Sequence, residues 1–372
     1  MSETRNRVDP YDALLVVSFG GPESDDDVMP FLENVTRGRG VPRERLEEVA
    51  EHYYEFGGRS PINAQNRALV ANIEHLLAEI GISMPVYWGN RNWDPYLADE
   101  LTRMRDNGIG RAAVFITSAY DSYSGCRQYR EDLADAVAAV GPGAPRLDRL
   151  RHSFDHPGFI TANADGVVGA LGDLPAQLTG RARIVFVTHS IPVAMAETSG
   201  PSGGAYVAQH EAVAEAVAAQ VAERTGVQRP FDLVYCSRSG PPEMPWLEPD
   251  VNDHLASLAA DGVEAVILAP IGFLSDHMEV AYDLDTEAIA TAKELGVAAA
   301  RAATAGTHPD FVATVVDLLT ERAAVERGED VTRASVLSLG PAPDVCPAGC
   351  CPNLRESRPA LFGEDAPPHP SP

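Results

Sequence analysis

Strand-length runs of nearly uninterrupted apolar residues recur along this chain, and longer amphipathic stretches separate them. The runs that predict strands lie at 13–19, 86–89, 112–118, 184–188, 233–236 and 265–270. Helical patterns occupy 63–80, 127–140, 204–224 and 276–295. Strands that are buried on both faces have continuous apolar sequences, and parallel neighbours are commonly joined by helices. The sequence therefore predicts an α/β fold of parallel sheets flanked by helices.

Two such sets of elements lie on either side of the segment GPGAP at 141–145, which is typical of a linker. A length of 372 residues fits two domains at about 150 residues each, so we expect two Rossmann-like lobes with an active-site cleft between them. The expected regions are 1–145 for the first lobe, 146–325 for the second lobe, whose last helix could pack back on the first, and 326–372 for a proline-rich tail. Parallel α/β lobes bind ligands beyond the carboxyl ends of their strands, where we therefore look for site residues.

The charge balance limits the partners of the chain. Lys and Arg number 29 against 54 Asp and Glu, a formal net charge of −25, and such a surface repels the phosphates of a nucleic acid. No apolar run approaches the roughly 18–20 residues that cross a bilayer, and no secretory leader is visible, so we expect no stable membrane insertion. Five cysteines are an odd number and too few for a disulfide scaffold. We therefore expect a cytoplasmic protein.

His189 follows the predicted strand at 184–188, in the segment THSIP. A histidine at the carboxyl end of such a strand lies at the mouth of an α/β cleft, where its imidazole can accept a proton or bind a metal ion. A histidine that only hydrogen-bonds loop backbone would fit the same position equally well.

Four acidic residues follow the apolar strand at 265–270. Ser275 is a candidate N-cap, and Asp276, Glu279, Asp283 and Glu287 follow at helical spacings that place them on one stripe beside His277. Carboxylates that converge near an imidazole suit a divalent cation such as Fe²⁺ or Mg²⁺. A solvated acidic face is the alternative interpretation.

Two further segments carry residues of interest. The stretch YDSYSGCRQY at 120–129 includes Tyr123, Arg127 and Tyr129, which could line a large flat ligand or bind a carboxylate, or simply begin a helix. The tail carries Cys346, Cys350 and Cys351. Zinc and iron–sulfur sites normally need four ligands, so a metal in the tail requires a fourth ligand from elsewhere in the chain.

Taken together, these motifs resemble those of the ferrochelatase family, whose members insert ferrous iron into a porphyrin. The matching segments, which run in family order from about residue 12 to 311, are SFGGP, FLENVTRGRGVP, GGRSPIN, VTHSIP, YCSRSGPPEMPWLEPDV and PIGFLSDHMEVAYDLDTEA. The resemblance implies a lyase that takes Fe²⁺ and a porphyrin as substrates. It also implies two α/β lobes around a cleft.

The resemblance also implies roles for individual residues. His189 corresponds to the base or metal-contacting imidazole, and Glu279 to the carboxylate opposite it. Asp283 and Glu287 would escort the cation or remove protons. The implied porphyrin contacts are Ser60 and Tyr129, with Tyr53, Tyr123 and Arg127 as further candidates for the cleft wall.

The FLENVTRGRG segment and the cysteine-bearing tail resemble the actinobacterial branch of the family. That branch implies coproporphyrin III as the substrate, Fe-coproporphyrin III (coproheme) as the product in haem b biosynthesis, and a monomer. The alternatives are a protoporphyrin IX ferrochelatase, a cobalt or nickel chelatase for another tetrapyrrole, and a porphyrin or haem carrier without turnover. Both His189 and Glu279 are present, which disfavours the carrier because a carrier needs no proton acceptor opposite a carboxylate.

The sequence departs from the family pattern at a possible [2Fe–2S] cluster. Some actinobacterial relatives hold such a cluster on three tail cysteines and an internal cysteine shortly after HSIP, where this chain has Ser199. Cys126, Cys236 or Ser199 could supply the fourth ligand, or the cluster could be absent. Because Cys126 and Cys236 lie in motifs that the family places near the porphyrin, the resemblance makes a role as a cluster ligand less natural for both of them.

A second departure from the family pattern is Phe19 in SFGGP, where some relatives have a tyrosine.

Overall fold

The computed structural model describes residues 7–240 and 243–367. Pro241 and Pro242 of the segment YCSRSGPPEMPWLEPDV lie outside the described residues, as do the first six residues of the expected first lobe and the last five of the expected tail.

The first sheet and its helices occupy the first part of the chain. In order, the elements are β1 (Ala13–Ser18), α1 (Asp25–Val35), α2 (Arg43–Tyr54), α3 (Ile62–Glu79), β2 (Val86–Asn90), α4 (Leu97–Asp106), β3 (Arg111–Ile116), a π-helical turn (Tyr123–Arg127), α5 (Gln128–Val140) and β4 (Arg146–Arg149).

The second sheet and its helices follow. In order, the elements are α6 (Pro157–Leu171), α7 (Ala176–Thr179), β5 (Arg183–His189), α8 (Val193–Glu197), α9 (Ala205–Thr225), β6 (Phe231–Cys236), α10 (Val251–Ala260), β7 (Ala265–Ala269), α11 (Met278–Tyr282), a π-helical segment (Asp283–Ala288), α12 (Ile289–Glu294), β8 (Ala298–Arg301), a 3₁₀ turn (Ala305–Thr307) and α13 (Pro309–Glu326).

Both sheets have four strands, and every pairing in them is parallel. The strand orders are β2-β1-β3-β4 and β6-β5-β7-β8, so each sheet starts from a central strand that is flanked by the next two strands of its set. The predicted α/β class is confirmed. In such sheets the strand order reverses beside the first strand, because later strands are added on its other side. The crevice for a ligand opens at the carboxyl ends of the two strands that meet at this reversal. In the second sheet this point lies between the carboxyl ends of β5 and β7.

Two strands escaped the sequence prediction because their sequences are short and not uniformly apolar. They are β4, with the sequence RLDR, and β8, with AAAR. Since β4 pairs with β3, the first sheet extends past the predicted boundary between residues 145 and 146.

The last helix connects the two sets of elements. Phe311 near the start of α13 packs edge-on against Phe115 of β3, with ring centroids 6.0 Å apart. At the end of α13, Glu326 forms ion pairs with Arg111 and with Arg322. After the second sheet, α13 therefore returns to the first sheet.

Paired side-chain amides and carboxylates also join the two halves of the molecule. Gln65 of α3 donates to the Asp276 carboxylate at 2.9 Å and accepts from the Asp276 backbone N–H at 2.8 Å. Gln209 of α9 forms the same reciprocal pair with Asp121 after β3, at 2.8 and 2.9 Å. Each pair connects the two lobes through two hydrogen bonds.

Among the helices in the described part of the chain, none is both long enough and apolar enough to cross a membrane.

Candidate functional site

His189 is the last residue of β5, at the predicted crevice of the second sheet. Its Nδ1 donates a hydrogen bond to the backbone carbonyl of Ser190. This bond leaves Nε2 facing the cleft, where it lies 3.4 Å from Oε1 of Glu279. The His189 side chain is 29% exposed and that of Glu279 is 47% exposed, so both remain open to a ligand.

Buried polar side chains fix the backbone that carries His189. The Tyr206 hydroxyl of α9 donates to the His189 carbonyl oxygen at 2.8 Å. The Thr188 hydroxyl lies 2.9 Å from the Tyr206 hydroxyl and 2.9 Å from Nε2 of His210. Gly272 follows β7 so closely that a Cβ there would lie 2.1 Å from the Thr188 Oγ1. The end of β5 is therefore held from two sides, and only a glycine fits at position 272.

Glu279 lies in the first turn of α11, and His277 caps that helix. The His277 side chain accepts a hydrogen bond from the Glu279 backbone N–H at 3.2 Å. Ser275 is therefore not the N-cap that the sequence predicted. With its backbone held in this way, the Glu279 carboxylate points towards His189.

His189 and Glu279 form an ion pair at neutral pH. Burial acts against a charged imidazole, but the Glu279 carboxylate outweighs it and raises the pKa of His189 to about 9. Burial acts against the carboxylate as well, yet the His189 charge lowers the pKa of Glu279 to about 2. While Nε2 carries this proton, its lone pair is not available to a metal ion or to a further proton.

Asp283 lies behind this pair, at the start of the π-helical segment. The Ser237 hydroxyl donates to its carboxylate, and Ser237 itself has a positive φ of 62°. Burial raises the pKa of Asp283 to about 7, the charges of Glu279 and Glu287 add to this effect, and the Ser237 hydrogen bond opposes it. Asp283 can therefore take up and release a proton near neutral pH, and Glu287 is exposed beyond it.

The predicted stripe of four acids is wrong at its first member. Asp276 precedes the helix, and its carboxylate accepts hydrogen bonds from Gln65 and, at 3.1 Å, from Arg301. The helix predicted over 276–295 begins at Met278 and includes the π-helical segment, which changes the spacing of the acids beyond Tyr282. Glu279, Asp283 and Glu287 remain as neighbours, as the pKa of Asp283 indicates.

Helix α2 of the first lobe forms the opposite wall. Its Tyr53 packs edge-on against Phe31, with centroids 6.0 Å apart, and burial together with the Glu279 charge raises the pKa of its hydroxyl. The His52 ring stacks on the Tyr282 ring of α11 with centroids 3.6 Å apart. The structure therefore brings Tyr53 near the His189–Glu279 pair, and its contact with a porphyrin stays a prediction.

Ser60 and Tyr129 belong to the same lobe but have different surroundings. Ser60 is 4% exposed, and its backbone N–H donates to the Pro22 carbonyl at 2.9 Å, in the turn after β1. The Tyr129 ring lies under the Arg91 guanidinium, 4.4 Å from its carbon, and Arg91 also lies 5.8 Å from the Phe19 ring. Ser60 therefore contacts the chain that follows β1 directly, and Tyr129 is connected to it through Arg91.

Tyr123 and Arg127 contact the tail. The Tyr123 hydroxyl accepts from Asn353 at 2.9 Å and donates to Glu131 at 3.2 Å. The Arg127 guanidinium donates to Asp365 at 3.2 Å. Their polar groups therefore anchor the tail, a partner that the sequence reasoning did not foresee.

Four cysteines from distant parts of the chain meet in one buried cluster. Cys126 of the π-helical turn packs against Cys346, Cys350 and Cys351 of the tail, and all four are free thiols. The Sγ atoms of Cys350 and Cys351 are 3.8 Å apart. Hydrogen bonds from Cys346 and Cys351 lower the pKa of the Cys126 thiol well below its usual value. We call these four residues the cysteine centre.

The other candidates for a fourth ligand lie elsewhere. The Ser199 hydroxyl donates to the Ala196 carbonyl at 2.6 Å and accepts from the Tyr206 N–H at 2.8 Å. Cys236 ends β6 and contacts Ser237 beside Asp283. Of the candidates that the sequence offered, Cys126 is the one whose side chain lies among the tail cysteines.

Comparisons with known proteins identify the family of this chain. A sequence model of the family described as Ferrochelatase matches residues 11–323. The chain is 58% identical to the coproporphyrin III ferrochelatase of Streptomyces coelicolor, over 96% of this chain and 97% of that protein. It is 56% identical to the protein of the same name from Streptomyces griseus, over 99% of this chain and 100% of that protein. Among solved structures it is similar to the sirohydrochlorin chelatase SirB of Bacillus subtilis, with a TM-score of 0.47 and 11% identity over 85% of this chain and 97% of that one.

Proposed function

The chain belongs to the ferrochelatase family, and on that premise we propose that it inserts Fe²⁺ into coproporphyrin III to give coproheme for haem b biosynthesis. Fe²⁺ and the porphyrin are both substrates of this lyase reaction. The metal replaces two pyrrole N–H protons, so the site must accept protons and deliver a cation. The observation that carries the proposal is the cleft-facing His189–Glu279 pair, with Nε2 and Oε1 3.4 Å apart.

His189 and Glu279 combine the two groups that this reaction needs. Because Nδ1 donates to the Ser190 carbonyl, Nε2 is the atom that exchanges a proton or contacts Fe²⁺. Glu279 stabilises the imidazolium when a pyrrole proton arrives, as their shifted pKa values indicate. Asp283, with a pKa of about 7, is suited to pass that proton towards the exposed Glu287.

The substrate needs a cleft wall that binds the macrocycle and its carboxylates. Tyr53 and Tyr129 are the proposed aromatic contacts for the ring, since aromatic faces bury large flat ligands. Ser60 is the proposed polar contact beside them. Binding energy from such contacts can favour a distorted macrocycle whose nitrogen lone pairs are accessible to the metal.

Arginines beside this wall favour coproporphyrin III over protoporphyrin IX as the substrate, because coproporphyrin III carries more propionate groups. Burial and the like charges of Arg355 and Arg91 lower the pKa of Arg39, so these three guanidinium groups lie near one another. Among the residues that the structure describes, Arg39 and Arg355 form no ion pair. Guanidinium groups bind carboxylates strongly, and here they supply positive charge in a chain of net charge −25.

A metalation assay tests the reaction and its substrate together. The purified protein is mixed anaerobically with Fe²⁺ and either coproporphyrin III or protoporphyrin IX, and loss of the metal-free porphyrin spectrum is followed. We expect faster turnover of coproporphyrin III. Replacement of Arg39 and Arg355 by glutamine should raise KM for coproporphyrin III more than for protoporphyrin IX.

Arg45→Gln is the matched control for the arginine variant, since Arg45 is an exposed arginine of α2 that pairs with Glu48. An equal preference for the two porphyrins would refute the substrate assignment. Tight porphyrin binding without metalation would instead establish the carrier alternative.

We further propose that the cysteine centre holds a [2Fe–2S] cluster. Four buried thiols that meet in one place match the usual ligand set of such a cluster, which supplies one-electron redox chemistry when bound. Iron and acid-labile sulfide content, with the electron paramagnetic resonance of the reduced protein, tests this. Cys236→Ser should keep the cluster and Cys126→Ser should lose it. Zinc without sulfide would refute the iron–sulfur assignment.

The cytoplasmic location and the monomeric state of the protein stay predictions.

A further inference from the structure

Arg149 ends β4, and its guanidinium reaches the cysteine centre. The residue is 2% exposed. Its Nη1 donates to the Cys126 Sγ at 3.1 Å, and its Nη2 donates to the Pro343 carbonyl of the tail at 3.0 Å. Its Nε has no hydrogen-bond partner among the described residues. The positive charge therefore lies at hydrogen-bonding distance from one of the four thiols.

Arg149 has no carboxylate partner in the described part of the chain, unlike Arg130 and Arg151, which are buried to a similar extent. Among the residues that the structure describes, no carboxylate forms an ion pair with it. The oxygens of Asp121, which lies nearby, contact His152 at 3.2 Å and Gln209 at 2.8 Å instead. Arg151, equally buried, pairs with Asp155 at 2.7 Å and with Glu321 at 2.7 Å.

A buried cation without an anion is costly, because the lost hydration has no replacement. The Cys126 sulfur is the group of the cysteine centre that Arg149 contacts, and the pKa of this thiol is lowered well below its usual value. A cluster with four thiolate ligands carries a net negative charge that increases by one when it is reduced. A fixed cation and a hydrogen bond at the sulfur therefore favour the reduced state.

We propose that Arg149 is the counter-charge of the cysteine centre, where it raises the reduction potential of the bound cluster and helps to retain it. This inference rests on the proposed [2Fe–2S] cluster. Arg149 acts through Cys126 and so is a positioning residue rather than a ligand. It also joins the first lobe to the tail through Pro343, which places the charge where the tail closes over the centre.

The test is a redox titration of the cluster in the full-length protein, followed by its visible absorption and electron paramagnetic resonance. Arg149→Gln removes the charge, and we expect the midpoint potential to shift to a lower value. Arg149→Lys keeps the charge, and the shift should be much smaller. Arg151→Gln removes an equally buried arginine that has its own carboxylates, and the potential should remain that of the original protein.

Cluster content gives a second readout if the charge is needed for retention. Loss of iron and sulfide from Arg149→Gln, with both kept in Arg149→Lys, would also support the proposal. An unchanged potential in Arg149→Gln, equal shifts in both variants, or cluster loss from both would overturn it. Absence of iron and sulfide from the original protein would overturn the cluster and the role of Arg149 together, so the two failures are distinguishable.

Discussion

The cleft and the cysteine centre are the two proposed metal sites, and their construction is opposite. In the cleft, an imidazole faces carboxylates, and the side chains of His189 and Glu279 are 29% and 47% exposed. In the cysteine centre, four thiols are each at most 4% exposed. Nitrogen and oxygen ligands at an open site suit a metal that must be passed on, whereas enclosed thiolates suit a metal that is kept.

The two regions also differ in how the chain assembles them. His189 ends β5 and Glu279 follows β7. Because these strands are neighbours in one sheet, the fold of the second lobe brings the two residues together. The cysteine centre joins the π-helical turn of the first lobe to the tail, and the Gly200 N–H of the second lobe donates to the Cys351 Sγ at 3.1 Å. The His189–Glu279 pair is therefore a product of one sheet, whereas the cysteine centre combines both lobes and the tail.

The largest effect is expected from His189→Ala. Without Nε2 the site loses its proton acceptor, and kcat for metalation should fall by about 10²–10⁴-fold, while iron and sulfide in the cysteine centre stay unchanged. Anaerobic metalation and metal analysis measure the two quantities on one sample. His75→Ala is the control, because His75 forms a similar pair with Glu79 on the exposed face of α3 at 3.2 Å. Equal losses in the two variants would contradict the assignment.

The converse variant is Cys350→Ser, which should empty the cysteine centre and leave the cleft working. We expect loss of iron and sulfide and a drop in the free energy of unfolding of about 2 kcal/mol or more, since the tail loses its buried anchor. Metalation by the folded protein should change less than tenfold. Denaturant unfolding and the metalation assay measure these effects. Loss of metalation comparable to that of His189→Ala would show that the regions are not independent.

The pH dependence of metalation should reflect the cleft alone. Because the pKa of His189 is raised to about 9, its imidazole is protonated at neutral pH and must lose that proton before it can act. We expect kcat/KM to rise as the pH approaches about 9. Glu279→Gln removes the carboxylate that raises this pKa, so the midpoint should move to lower pH even though the maximal rate falls. A midpoint that stays in place would refute the coupling of the two residues.

The smallest effect is expected from Ser237→Gly. Glycine tolerates the positive φ of 62° at this position, so the variant removes the hydrogen bond to Asp283 without straining the backbone. A lost hydrogen bond of about 1 kcal/mol should raise the pKa of Asp283 further and slow metalation about fivefold at neutral pH. The rate should recover as the pH rises. A constant deficit across the pH range would argue against a proton-transfer role for Asp283.

The strands and the cleft residues were the parts that the sequence could predict. Long apolar runs identified β1, β3, β5 and β7, because a strand that is buried on both faces admits few polar residues. His189 and Glu279 were predictable because they follow such strands. The strands β4 and β8 were missed because pairing with a buried neighbour, rather than their own sequence, makes them strands.

The acidic segment and the cysteine centre show why other features could not be predicted. Helical spacing placed Asp276 with Glu279, but hydrogen bonds to Gln65 and Arg301 keep Asp276 outside the helix. The partners of Cys126 lie in a tail without periodic pattern, so no local signal pairs them. Arg149 was not a candidate at all, since an arginine in the sequence does not reveal whether a carboxylate accompanies it.

The contribution of the tail to the cysteine centre also has a consequence for biosynthesis. Chain order dictates that a ribosome makes the cleft residues and α13 before Cys346, Cys350 and Cys351. A nascent chain can therefore fold its two sheets while Cys126 and Arg149 still lack the partners that the tail provides. The four thiols of the cysteine centre therefore cannot meet before synthesis has passed both sheets and reached the tail.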